Sequence, residues 1–295
     1  MPQEGSAGVV LTSKSQSSAL QHHPEVVIRA RSEHTLAHDV AGIWNNREIA
    51  WTLAVREIQI RYKQSVLGIA WAVLQPVLTT AIFTFVFSYL ARIPTGEVPY
   101  SVFVFSGLLM WQYFSRVVVD GASSLVKNEA IITKVFFPRL LLPLVPSLSA
   151  SIDFLIALVV LVAMMLLYGM VPSPLIVLVP LVLLAAGLLG YGIGLVLSPL
   201  NAIYRDVGFA LPFFVQIGMY LTPVIYPIAF VPPRHQWLYA LNPAATLLDT
   251  MRAIIVGATW PGLASYSILL LWTVGLLGLG LAIFRKLEPA IVDQI

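Results

Sequence analysis

The sequence predicts an all-α integral membrane protein with six transmembrane helices and both termini in the cytosol, and three observations predict it. Charged residues make up only 11% of the chain and hydrophobic residues 58%, whereas an average soluble domain is roughly a quarter charged. Five stretches contain no Asp, Glu, Lys or Arg: residues 64–91 (28 residues), 98–115 (18), 154–204 (51), 207–233 (27) and 253–284 (32). A helix crossing the hydrocarbon needs about 20 apolar residues, so the longest stretch holds two crossings and each of the others one. Lys and Arg also crowd into alternate linkers, which orients the spans.

Residues 1–40 read as a disordered cytosolic tail, rich at first in Ser, Gln and His and without the apolar core of a secretory signal. Residues 41–65 read as an amphipathic interface helix, in which Ile49, Leu53 and Ile60 mix with Arg47, Glu48, Arg56, Glu57, Arg61 and Lys63. The six-helix transmembrane domain takes residues 66–284, with spans at 66–90, 100–119, 141–168, 175–198, 207–226 and 262–284. Residues 120–139 combine apolar and basic side chains up to Pro138 and read as a short helix offered to something in the cytosol. Residues 227–260 form the longest outer linker. There Asn242 suits a cap, Pro243 a first helical position and Gly257 a C-terminal cap, which predicts a helix of about 13 residues. With Trp237 and Tyr239 ahead of it, this segment is expected to dip into the outer leaflet. Residues 285–295 form a cytosolic C-terminal tail. The tails, interface helix and alternate linkers on one side carry 13 Lys and Arg against three on the other, with Arg116 inside a span. That side is the cytosol by the positive-inside rule.

The chemistry of the chain is mostly defined by what the sequence lacks. There is no cysteine, so disulfides and thiolate sites are excluded. No GxxxxGK[ST] phosphate loop occurs, so the chain cannot bind or split ATP by that motif and energy has to come from elsewhere. His22 and His23 have neither a His-Glu-x-x-His spacing nor a carboxylate cluster near them and read as a solvated tail, leaving no metal site and no catalytic set. The calculated pI near 9.2 comes from a net charge of only +3, which topology explains without nucleic acid. Gly190 and Gly194 form a GxxxG pair that suits close helix packing, within the subunit or across a dimer seam. Asp153 is a carboxylate deep in an apolar span; it reads either as a proton-coupling group or as a structural partner of Arg116. Phe209, Phe213, Gln216 and Tyr220 fall on one helix face, which suits either the lining of a path or ordinary packing, and Phe83 with Phe87 would form the facing wall.

Residues 60–78 (IRYKQSVLGIAWAVLQPVL) closely resemble the start of the membrane subunit of type-2 ABC exporters of polysaccharides such as O-antigen, capsule and teichoic acid. The resemblance continues through VPYSVFVFSGLLMWQYFS at 98–115, SSLVKNEAIITKVFFPRLLLPL at 123–144, YRD at 204–206, LTPVIYP at 221–227 and LNPAATLLDTMRAIIVG at 241–257. It implies a homodimer around a channel in the bacterial cytoplasmic (inner) membrane, with two separate nucleotide-binding ATPase subunits that hold ATP and Mg, and a lipid-linked polysaccharide as cargo. Carried over to this chain, Arg56, Arg61, Tyr62, Lys63, Asn128, Ile131, Lys134 and Phe136 would contact the ATPase. For each basic residue among them a lipid head-group anchor is the ordinary alternative. Re-entrant helices carrying Tyr226, Pro227, Trp237, Asn242 and Pro243 would form an outer gate. The rival readings are an ion- or proton-coupled secondary transporter using Asp153 and a membrane enzyme transferring sugars to lipid.

Overall fold

The computed structural model describes residues 36–63, 68–96, 98–135 and 137–294, and it is helical throughout, with no strand among the described residues. Helix α1 (Leu36–Asn45) and α2 (Arg47–Tyr62) meet at a turn on Asn46. The first long apolar segment runs from a 3-10 turn through α3 (Trp71–Phe83) into a π-helical stretch, Thr84–Leu90. There follow α4 (Tyr100–Lys127), the four-residue α5 (Glu129–Ile132), α6 (Val145–Leu167) and α7 (Val179–Ile203). The chain continues with α8 (Asp206–Leu221), α9 (Gln236–Ala240), α10 (Pro243–Val256) and α11 (Leu263–Gln294).

Five segments are long and apolar enough to cross a membrane: Trp71–Leu90, Tyr100–Lys127, Arg139–Leu167, Pro174–Ile203 and Leu263–Ala290. The fifth of the six expected spans is shorter than expected, because α8 ends at Leu221. The cause is local: Thr222 precedes Pro223, and a residue before proline is driven into extended backbone, here φ −104° and ψ 143°. The second span is longer than its charge-free window. A helix does not stop where lipid stops, and α4 carries Asp120 and Lys127 on its last turns as an ion pair at 2.6 Å. The helix expected within residues 120–139 is therefore mostly the end of α4, followed by the single turn of α5.

Helix α4 is the centre of the bundle, with 72% of its most apolar window buried, against 11% for Trp71–Leu90 and 17% for Leu263–Ala290. The GxxxG pair explains how α7 approaches it. A Cβ on Gly190 would lie 2.6 Å from Val117 Cγ1, and one on Gly194 would lie 3.5 Å from the Cα of Gly121. Of the two readings left open for this pair, the structure uses packing within the subunit. At one end of the bundle a second apolar cluster joins α2, α4, α7 and α11 through Ala50, Leu125, Tyr191 and Phe284. Tyr191 Oη donates to Leu140 O at 3.0 Å and Asn201 Nδ2 to Ala122 O at 3.1 Å at this end.

Helix α2 is less one-sided than expected. Trp51 and Ile60 are exposed, while the small Ala50 and Ala54 face the body. What seats α2 is close alanine packing together with the polar contacts described next.

Candidate functional site

Near the basic end, Asp153 of α6 is buried and gathers donors from two other helices. Arg61 Nη1 of α2 lies 2.5 Å from Asp153 Oδ2, Arg116 Nη1 of α4 donates to the same oxygen, and Tyr62 Oη of α2 donates to Oδ1 at 2.7 Å. The second nitrogen of Arg61 faces Glu57 and Asp120, both at 3.6 Å. Ser149 Oγ of α6 donates to Glu57 Oε2 at 2.9 Å. Three carboxylates and the cations Arg61, Arg116 and Lys127 thus form one network that fastens α2 to α4 and α6. Burial lifts the Glu57 carboxyl above its ordinary range, with the Ser149 hydrogen bond pulling the other way. Tyr62 is raised by burial and by its bond to Asp153.

At the opposite end α10 holds the chain segment that follows α8. Its cap is as the sequence predicts: Asn242 Oδ1 accepts from Ala244 N at 3.0 Å, Pro243 is the first helical residue, and Gly257 terminates the helix with φ +70°. Asn242 Nδ2 also donates to Thr222 Oγ1 at 3.0 Å. Arg252 is fully buried; its guanidinium donates to Pro223 O and Val224 O, each at 2.7 Å, and lies 3.8 Å over the ring of Phe103. These bonds satisfy buried carbonyls of the non-helical segment that follows α8. Burial pulls Arg252 down to about 10, Asp249 opposing, so it stays cationic at neutral pH. Tyr100 Oη donates to Ile225 O at 2.7 Å. A Cβ on Gly107 would meet Val224 O at 2.6 Å, so α4 needs glycine where the clamp sits.

Between the two ends, α8 buries none of its residues. Phe209, Phe213, Gln216 and Tyr220 are all exposed, at 82%, 61% and 49% for the three aromatics. Phe83 and Phe87 meet with ring centroids 5.9 Å apart and planes tilted by 57°, but lean on the main core, and the outward aromatics of that helix are Phe85 and Tyr89. The wider turns from Thr84 onward change which face each later side chain takes.

The ABC-2 type transporter family model matches residues 49–256 of this chain, which is well over half of it. The chain belongs to the ABC-2 type transporter family. It is 31% identical over 235 residues to an O-antigen export system permease protein, RfbA, of Klebsiella pneumoniae, covering 79% of this chain and 89% of the relative. It is 29% identical to the RfbA permease of Myxococcus xanthus, covering 79% and 92%. It is 26% identical to the polysialic acid transport protein KpsM of Escherichia coli, covering 82% and 94%.

In this ABC-2 chain the residues expected to face an ATPase divide into two groups. Arg61 and Tyr62 turn inward to Asp153 and are occupied there. Ile131 packs against the apolar cluster at the basic end, and Asn128 Nδ2 donates to Ser124 O at 2.9 Å. Arg56, Lys63 and Lys134 are exposed, and Phe136 lies outside the described residues. At the other end Tyr226 Oη donates to Tyr220 O at 2.8 Å and meets Tyr239 Oη at 3.0 Å, Pro227 opens a 3-10 turn, and Trp237 is exposed. Sequence reasoning counted Arg252 only as a linker charge. Its signal was Asp249 and Arg252 three residues apart in an otherwise apolar helix. No cluster of metal-ligating side chains occurs among the described residues.

Proposed function

We propose that this chain is the membrane-spanning subunit of an ATP-driven exporter that moves a lipid-linked, O-antigen-like polysaccharide across the bacterial cytoplasmic membrane. The observation that carries the reading is the match to O-antigen export permeases over 79% of the chain and about nine-tenths of those relatives. The working unit is a homodimer with two ATPase subunits that bind ATP and Mg, and the phosphate loop missing here belongs to them. Both termini and the Arg61–Asp153 network lie toward the cytosol, as the Lys and Arg asymmetry requires. Helix α8 completes a sixth crossing together with the clamped segment after it, and α9 and α10 form the outer gate. ATPase-driven displacement of α2 is passed to α4 and α6 through the network centred on Asp153. Proton coupling through Asp153 is disfavoured by the same geometry, since its carboxylate is already shared among Arg61, Arg116 and Tyr62.

The test is reconstitution. The purified chain alone should hydrolyse no ATP, and the chain with its ATPase should hydrolyse ATP and export polymer only when Mg-ATP is present. Turnover by the single subunit, or export without nucleotide, would overturn the assignment.

A further inference from the structure

Residues 222–225 are buried without being helical, directly after the end of α8. Such backbone persists at membrane depth only where protein supplies its hydrogen-bond partners. Here side chains supply them. Arg252 of α10 donates to Pro223 O and Val224 O, Asn242 of α10 donates to Thr222 Oγ1, and Tyr100 of α4 donates to Ile225 O. Two of these four bonds hang on one guanidinium, and losing it strips two adjacent buried carbonyls at once.

Arg252 is nevertheless incompletely satisfied where it sits. Its Nε is buried and makes no hydrogen bond, which is uncommon for a polar atom inside a protein. A carboxylate stands three residues back on the same face of α10. Asp249 Oδ1 lies 3.6 Å from Arg252 Nη1, a looser contact than the two carbonyl bonds at 2.7 Å, and the Asp249 side chain is partly exposed. Turning the guanidinium fully onto Asp249 exchanges two neutral acceptors for a charged one, a stronger type of bond. Helix α4 crowds the group otherwise. The ring of Phe103 lies 3.8 Å from the guanidinium, and a Cβ on Gly107 would meet Nη2 at 2.7 Å. Arg252 therefore has two sets of acceptors within reach, and they differ in whether Pro223 and Val224 are held.

We propose that Arg252 is the positioning residue of the outer segment: bonded to Pro223 O and Val224 O it holds residues 222–225 shut against α4, and paired with Asp249 it releases them. The inference rests on the transport reading and deepens it by naming the contact that breaks when the outer side opens. Helix α4 connects this contact to the ATPase end. It sets Tyr100 and Gly107 against the segment and Arg116 against Asp153, so one helix touches both the clamp and the ionic network.

The experiment uses the chain reconstituted with its ATPase in vesicles loaded with carboxyfluorescein, the unmodified complex being the reference. Without nucleotide, Arg252→Met, which keeps the length and removes the donors, should release dye about tenfold faster, the scale set by losing a hydrogen bond to a charged group. Arg252→Lys, which reaches one carbonyl, should fall between. Asp249→Asn leaves the carbonyl bonds and weakens the alternative pairing. Its dye release should stay at the reference rate while Mg-ATP-driven export of lipid-linked O-antigen falls at least fivefold. A purely structural role would instead lower the unfolding temperature of both variants and move dye release and export together. The chain has no cysteine, so Thr222→Cys with Asn242→Cys can be bridged by a short bis-methanethiosulfonate; bridging should stop export and reductant should restore it, whether or not Arg252→Met assembles. Unchanged dye release from an assembled Arg252→Met complex, normal export by Asp249→Asn, or export undiminished by bridging overturns the proposal. Faster dye release by Arg252→Met with no export by the unmodified complex sinks the transport assignment alone, and normal export by the unmodified complex with none of these shifts sinks the clamp alone.

Discussion

Glu57 is held in a position that its charge opposes. Its carboxylate is partly buried between α2 and α6, it accepts from Ser149, and burial raises it above the usual carboxylate range. A raised carboxyl contributes stability that is whole below the unfolded value of about 4.3 and is lost as pH rises through the raised folded value. Glu57→Gln keeps an acceptor for Ser149 and removes the ionisation. The variant should therefore unfold no lower than the parent at pH 7, by about 2–4 °C higher for each kcal/mol relieved, and the two should converge toward pH 4. Thermal unfolding of the ATPase-bound complex at both pH values checks this; a variant markedly less stable at pH 7 would mean that the Arg61 pairing outweighs burial. Arg252 shows the opposite arrangement, a buried cation that two carbonyls and a ring face hold in place. A guanidinium suits that role because its fork reaches two neighbouring carbonyls at once.

Helix α2 is the element that sequence pattern described least well. Its mixed apolar and basic residues pointed to a helix in the membrane interface, and what they left out are the polar contacts to residues 92 positions away, the ion pair of Arg61 with Asp153 and the hydrogen bond from Ser149 to Glu57. No periodicity reports a contact at that separation. The pairing of Asp153 with Arg116 was legible because an unpaired carboxylate deep in an apolar span is costly. The cap, first turn and terminator of α10 were legible because each is a local backbone requirement carried by Asn242, Pro243 and Gly257. If the network transmits motion, Asp153→Asn should leave the complex assembled and the pH profile of export nearly unchanged, while polymer exported per ATP hydrolysed falls several-fold. Reversing the ion pair, with Arg116→Asp and Asp153→Arg together, should recover part of that ratio. Lost export with unchanged coupling and a new pH dependence would instead favour proton carriage.

For the whole molecule, the small-residue seam is consumed inside the subunit, where Gly190 and Gly194 admit α4. Among the exposed apolar surfaces, those of the first span and α8 are the ones rich in exposed aromatics. The spacing of Phe209, Phe213, Gln216 and Tyr220 made this stripe readable in advance, since all four share a face of one regular helix. That Phe83 and Phe87 lean on the main core was not readable, because the π-helical turns after Phe83 cannot be inferred from residue spacing. Phe213→Ala with Tyr220→Ala should lower exported polymer while ATPase binding persists; unchanged export with only reduced thermal stability would return the stripe to packing. The early end of α8 has a further effect. Sixteen helical residues span about 24 Å at 1.5 Å each, against a hydrocarbon thickness near 30 Å. A bilayer beside so short a helix thins to match it, each ångström of mismatch costing a fraction of a kcal/mol. On the proposed reading, in which α8 and the non-helical segment after it make the sixth crossing, the helical part of that wall is the thinnest in the molecule, and transport in reconstituted vesicles should be fastest with short-chain lipids and slow as acyl chains lengthen.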